Sequence, residues 1–139
     1  DGTVSTAFGV AAASGRPVTL LIGDVALAHD IGGLLAARRL GLALKLVLVN
    51  NDGGGIFHFL PVSGESDAFE EHVATPHGLA FEHAAALYGL SYARVDTLAA
   101  LRSELREPGA RMIEVRTDRA ANLSLHRLVA DAAGPASPA

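Results

Sequence analysis

The chain has 139 residues, half of them hydrophobic and 19% charged, with a net charge of −4 and no cysteine. That length fits one domain with one sizeable core. The scattered basic residues give no electrostatic footprint for nucleic acid. The missing cysteines exclude disulfides, thiolate nucleophiles and zinc-thiolate sites, and they point to a reducing, cytoplasmic setting. No apolar run reaches the length of a membrane span, and no signal peptide is visible.

In chain order, Thr3 to Ser14 reads as a helix with Val4, Phe8 and Ala11 on one face, started by Asp1 or Thr3 and stopped by Gly15. Pro17 to Ile22 is a short buried strand ending at Gly23-Asp24. Val25 to Leu40 reads as a helix weakened in the middle by Gly32-Gly33. Leu44 to Val49, nearly all apolar, reads as a central parallel strand. Asn50 to Pro76 is one long irregular stretch, of a length usually tied to function. A helix follows over Ala80 to Tyr88, then a strand over Tyr92 to Val95. Leu98 to Arg106 is a helix, Arg111 to Arg116 a strand and Ala121 to Ala132 a last helix. The alternation predicts an α/β domain over residues 1–132, an open and mostly parallel sheet with helices on both faces. Residues 133–139, rich in Pro and Ala, are expected to form a disordered tail. The chain starts at Asp1 rather than Met, which suits a fragment or a single domain of a larger protein.

Ligands in open parallel sheets bind at the carboxyl ends of strands. Two strands end in polar residues there, one in Gly23-Asp24 and the other in Asn50-Asn51-Asp52-Gly53. If the strands are neighbours, a carboxylate, side-chain amides and bare backbone meet at one rim. Such hard oxygen donors suit Mg²⁺, which shares its shell with phosphate. Gly53, Gly54 and Gly55 let the backbone approach a ligand, and a helix starting after Gly23 favours an anion. The set therefore reads as a diphosphate–magnesium cradle. Taken singly, Asn-Asp-Gly is a common turn and Gly-Asp an ordinary helix cap. Neither the G-x-G-x-x-G nor the Walker pattern occurs.

Gly23-Asp24, 25 intervening residues and Asn50-Asn51 resemble the signature of thiamine-diphosphate enzymes. Within them, Asp1-Gly-Thr-Val-Ser-Thr-Ala, Gly54-Gly-Ile-Phe-His-Phe-Leu-Pro61 and Phe81-Glu-His-Ala-Ala-Ala-Leu-Tyr-Gly-Leu90 resemble the MenD family, the SEPHCHC synthases of menaquinone biosynthesis. The resemblance runs to about Val129. It implies that Asp24, the Asn51 side-chain oxygen and the Gly53 carbonyl hold Mg²⁺. It also implies that backbone around Gly23, Val25, Ala26 and Gly54 to Ile56 cradles thiamine diphosphate. Ile56, Phe57 and Leu60 match an apolar wall beside the reacting centre. Val25 replaces the second glycine of the common Gly-Asp-Gly. Asp52 stands where many relatives carry Asn, a difference expected to matter little. The implied reaction is decarboxylation of 2-oxoglutarate and addition of the succinyl carbanion equivalent to isochorismate. The activating glutamate would sit in a pyrimidine-binding domain of a partner subunit, within a homodimer or homotetramer, so this chain alone would be inactive. The competing readings are another thiamine-diphosphate decarboxylase or synthase, and a flavodoxin-like binding module.

The histidines carry weaker signals. His72, His77 and His83 lie near Glu70, Glu71 and Glu82, but their spacing fits no common zinc pattern. His29-Asp30 reads as a solvent-exposed pair. His58, among the apolar-wall residues, is a candidate for the substrate channel.

Overall fold

A computed structural model describes residues 2–65 and 68–134. Four strands form one parallel sheet in the order β1-β2-β4-β3: β1 (Val18–Gly23), β2 (Leu44–Asn50), β3 (Ser91–Val95) and β4 (Arg111–Arg116). The helices are α1 (Thr3–Ser14), α2 (Asp24–His29), α3 (Leu35–Leu40), α4 (Phe81–Tyr88), α5 (Leu98–Arg106) and α6 (Arg119–Ala133).

The sheet is covered unequally. On one face Leu44, Leu46, Leu48 and Met112 pack against Val4, Phe8, Leu27, Leu34, Phe81 and Ala85 of the helices before and after β2. Each such fully buried Leu or Phe contributes on the order of 2 kcal/mol relative to exposure. The opposite face holds a smaller cluster, in which Val47, Val95 and Ile113 meet Ala100, Leu101 and Leu105 of α5. Leu21 pairs in register with Val47 and so points to that second face, yet it remains 69% exposed. Alternation along the strands explains the split, since successive side chains point to opposite faces.

Two expectations change on contact with the structure. The helix expected over Val25 to Leu40 is broken: α2 ends at His29, a 3₁₀ turn spans Ile31–Leu34, and α3 resumes at Leu35. The break lies where α1 crosses. A Cβ on Gly33 would come within 2.9 Å of Val4 Cβ and 3.0 Å of Ser5 Oγ. At the same crossing the Val4 N–H donates to Asp30 Oδ2 at 2.6 Å. Asp30 is therefore half-buried and supplies the start of α1 with an acceptor from a distant segment, which corrects the reading of His29-Asp30 as a solvent-exposed pair; His29 itself is exposed. Asp1, the other expected start signal, lies outside the described residues.

The irregular stretch after β2 also has order of its own. It contains 3₁₀ turns at Gly55–Phe59 and Pro61–Gly64 and a π-helical turn at Phe69–Ala74. At the far end, α6 includes Ala133, the first residue of the expected tail; residues 135–139 lie outside those described.

Candidate functional site

Parallel pairing places Gly23 of β1 beside Val49 of β2. The chain leaves both strands at the same edge, and Asp24 stands next to the Asn50–Gly53 turn. Asp24 opens α2 and is 3% exposed. Its Oδ1 accepts the Val25 N–H at 2.9 Å. Its Oδ2 accepts the Gly53 N–H at 2.9 Å and lies 3.0 Å from His77 Nε2. The carboxylate thus bridges the two strand ends directly.

The adjacent asparagines have opposite fates. Asn50 ends β2 on the face of Leu48 and is 1% exposed. Its Oδ1 accepts the Asp52 N–H at 2.9 Å, and its Nδ2 donates to Glu114 Oε1 at 2.9 Å. The other Glu114 oxygen accepts the Tyr92 hydroxyl at 2.5 Å, and burial beside that carboxylate pushes the phenol well above its ordinary range. Asn50 is therefore scaffold. Asn51 stands one residue past the strand, and its Oδ1 is buried without a hydrogen-bond partner. A buried acceptor left unpaired costs about 1–3 kcal/mol, so this oxygen is one that a ligand or a water in the adjoining cavity would satisfy.

Close packing explains the glycines that follow. Gly53 has φ +126°, and a Cβ there would lie 2.2 Å from the Ala74 carbonyl oxygen. That same oxygen accepts the Gly54 N–H at 2.7 Å. A Cβ on Gly55 would lie 2.2 Å from Asn51 Nδ2, so only glycine lets the amide sit where it does. The Gly53 carbonyl accepts the Gly55 N–H at 2.9 Å and keeps a second lone pair.

Asp52, in a left-handed conformation at φ 59°, faces away from the strand and accepts the His77 and Gly78 N–H groups at 3.2 and 2.8 Å. The Gly78 N–H, followed by the His77 ring and backbone and the Arg116 charge, holds its carboxyl below the ordinary value of 3.8 against some loss of solvation. An asparagine oxygen could accept the same two bonds.

Beyond Gly55 the character changes. Ile56, Phe57 and Leu60 lie on one 3₁₀ turn and its end, and they are 73%, 39% and 49% exposed. His58 turns the other way: its ring meets Phe69 edge-on at 4.7 Å and its Nε2 lies 3.8 Å from Glu70. It lines a cavity of about 390 Å³ with Asn51, Glu70, Arg116 and Arg119. Arg119 donates to Glu70 at 2.9 Å and so ties α6 to the π-helical turn.

The structure brings together Asp24, Gly53 and Val25, and it sets Gly55 against the Asn51 amide and Gly54 against Phe57 and the Val73 carbonyl. The Val25, Gly54 and Gly55 N–H groups are already bonded within the chain, while Gly23 and Ala26 flank Asp24. His77, Arg119 and Glu70 were not singled out for this edge by sequence; no motif marks them, and His77 reaches Asp24 across 53 residues while Arg119 reaches Glu70 across 49. His72 and His83 are exposed and do not join His77.

The oxygen set suits a hard cation. Asp24 supplies a buried carboxylate, Asn51 an unpaired amide oxygen and Gly53 a carbonyl with a free lone pair. Mg²⁺ takes such donors and completes its shell with phosphate and water.

Comparison with known proteins assigns the chain to a family. Residues 2–115 match the family model described as the thiamine pyrophosphate enzyme C-terminal TPP-binding domain. A 2-succinyl-5-enolpyruvyl-6-hydroxy-3-cyclohexene-1-carboxylate (SEPHCHC) synthase of Rubrobacter xylanophilus is 52% identical over 139 residues, covering 96% of this chain and 24% of the relative. The protein of the same name from Bacillus velezensis is 47% identical over 137 residues, with the same coverage. The chain thus spans about a quarter of the length of the curated relatives it matches. Among solved structures, a thiamine diphosphate-dependent 4-hydroxybenzoylformate decarboxylase of Rhodococcus jostii superposes with a TM-score of 0.67 at 28% identity, covering 81% of this chain and 22% of that one. A benzoylformate decarboxylase of Polynucleobacter necessarius, at 22% identity and a TM-score of 0.62, covers 84% of this chain and 23% of that one, and shares the fold. The family match over residues 2–115 establishes that this chain belongs to the C-terminal TPP-binding domains of thiamine pyrophosphate enzymes.

Proposed function

We propose that this domain binds the Mg²⁺–diphosphate end of thiamine diphosphate in a SEPHCHC synthase, which decarboxylates 2-oxoglutarate and adds the succinyl unit to isochorismate. The observation that carries the cradle is the buried, unpartnered Asn51 Oδ1 at the edge where Asp24 meets Gly53. The relatives' shared name supports the choice of reaction. Asp24, Asn51 and Gly53 would hold the cation. Because the Val25, Gly54 and Gly55 N–H groups are spent within the chain, the oxygen set carries more of the grip on the diphosphate than the amides do.

Thiamine diphosphate, when bound, supplies the nucleophilic carbon and the electron sink. This chain positions it and shapes its surroundings. Ile56, Phe57 and Leu60 present an apolar wall that excludes water and disfavours a carboxylate relative to the neutral carbon dioxide that leaves it. The remaining groups belong to a pyrimidine-binding domain, contributed by a partner subunit in a homodimer or homotetramer of a cytoplasmic enzyme.

Feeding the whole protein 2-oxoglutarate with isochorismate, against pyruvate or benzoylformate, tests the reaction. Turnover of the first pair is expected. Turnover of an aromatic or simple 2-oxo acid alone would move the assignment to a decarboxylase such as the Rhodococcus relative. Calorimetry with thiamine diphosphate and Mg²⁺ tests the cradle independently; no binding would return the domain to a flavodoxin-like module.

A further inference from the structure

The turn Thr75–Leu79 closes over the metal-fitting edge, and its contacts converge on one side chain. The His77 and Gly78 N–H groups are held by Asp52, and the Leu79 N–H donates to His77 Nδ1 at 2.9 Å. The same Nδ1 lies 3.3 Å from Asp52 Oδ1. Nε2 lies 3.0 Å from Asp24 Oδ2, and because a carboxylate oxygen only accepts, Nε2 is the donor. The ring is 16% exposed and meets Phe81 edge-on at 5.7 Å, which fixes its plane. Thr75, β-branched and preceding a proline, sits at φ 44°, a conformation both features disfavour. Such an outlier persists only where the surroundings over-determine it.

A carboxylate offers about four lone-pair positions. On Asp24, Oδ2 takes two donors, Gly53 N–H and His77 Nε2–H, and Oδ1 takes one, Val25 N–H. One position is left, on Oδ1. We propose that His77 is a positioning residue for the cation site: it saturates Oδ2 and fixes the carboxylate plane, leaving Oδ1 as the oxygen that binds metal. The proposal rests on the reading of Asp24 as a cation ligand. Metal ligands held by such hydrogen-bond partners lose roughly 10–100-fold in affinity when the partner is removed.

The test uses the whole protein with thiamine diphosphate and Mn²⁺ as the paramagnetic stand-in for Mg²⁺, with free Mn²⁺ read by electron paramagnetic resonance. His77→Phe keeps the ring against Phe81 and removes the N–H; Mn²⁺ affinity is expected to fall roughly 10–100-fold. His77→Gln restores an amide donor and is expected to recover most of the loss, which a purely structural role would not do. Independently, nitrogen NMR on histidine-labelled protein without metal should show a proton on His77 Nε2. An Nε2 without a proton overturns the proposal, as does wild-type Mn²⁺ affinity in His77→Phe while Asp24→Ala is weakened. Unchanged affinity in Asp24→Ala instead sinks the cradle itself, and the positioning role with it. Thermal unfolding of each variant separates these results from misfolding.

Discussion

Two regions of one loop behave oppositely within ten residues. From Asn50 to Gly53 side chains and backbone are buried or bonded within the chain, and Asn51 Oδ1 stands out as the atom without a partner. From Ile56 to Leu60 large apolar side chains stand 39–73% exposed. The first region is nearly complete in itself and lacks a ligand. The second is covered within the described residues only in part, where Phe59 meets His126 edge-on at 5.2 Å, as expected of one wall of a site whose other wall comes from elsewhere. Substitutions in the first region should therefore disturb stability and cation binding in separable ways. Substitutions in the second should spare stability and change turnover.

The largest effect on this contrast belongs to Gly53→Ala. Its φ of +126° disfavours any side chain, and the new Cβ would overlap the Ala74 carbonyl at 2.2 Å. Backbone on both sides must move. We expect a loss of at least about 1–3 kcal/mol in denaturant unfolding, together with loss of cofactor binding. A variant as stable as the parent would show that the turn is not locked against Ala74.

The asparagine pair gives the sharpest separation. Asn50→Ala leaves the Asp52 N–H without its partner and Glu114 Oε1 with only Arg116 Nε at 3.5 Å, and an unpaired buried group costs about 1–3 kcal/mol. Asn51→Ala removes an atom with no partner, so unfolding should stay close to the parent while Mn²⁺ and cofactor affinity drop. Equal effects of both substitutions on stability and affinity would erase the division into scaffold and ligand.

On the exposed wall, Ile56→Ala should change unfolding by no more than about 0.5 kcal/mol, as substitutions outside the core usually do. Turnover of the whole enzyme should fall with cofactor affinity nearly unchanged. Parallel losses in affinity and turnover would place Ile56 in the cradle rather than the wall.

How much of this could be read beforehand depends on the range of each interaction. Strands β1, β2 and β4 were legible because short apolar runs bounded by Gly, Asn and charged residues have few other uses. The meeting of Asp24 with the Asn50–Gly53 turn followed once β1 and β2 were taken as neighbours, because parallel strands deliver their carboxyl ends to one rim. The two asparagines were partly separable, since alternation from Leu44, Leu46 and Leu48 carries Asn50 to the core face and leaves Asn51 beyond the strand. The break after His29 was not legible. It depends on α1 crossing at Gly33 and on Asp30 reaching Val4, contacts that span 26 to 29 residues. His77 was hidden for the same reason: it reaches Asp24 across 53 residues from a Pro-His-Gly turn that matches no metal or catalytic pattern.

The smallest expected effect concerns Asp52, which ties the buried turn to the segment carrying His77. Its carboxyl is held below the ordinary 3.8, chiefly by the Gly78 N–H. A carboxylate with a depressed folded-state pKa stabilises the fold above the unfolded value, and that contribution is lost as pH falls through the folded value. The window therefore lies below about pH 4, and neutral solutions lie outside it. The side chain is 39% exposed, so solvent screens the effect and the loss is shallow. Asp52→Asn keeps an acceptor for the His77 and Gly78 N–H groups but cannot titrate. Compared by urea unfolding, the two proteins should run parallel from pH 7 to pH 5, and the parent should lose stability faster on the acid side. If the two acid limbs superimpose, the carboxylate charge does not hold the turn, and the hydrogen bonds alone link the cradle to the His77 segment.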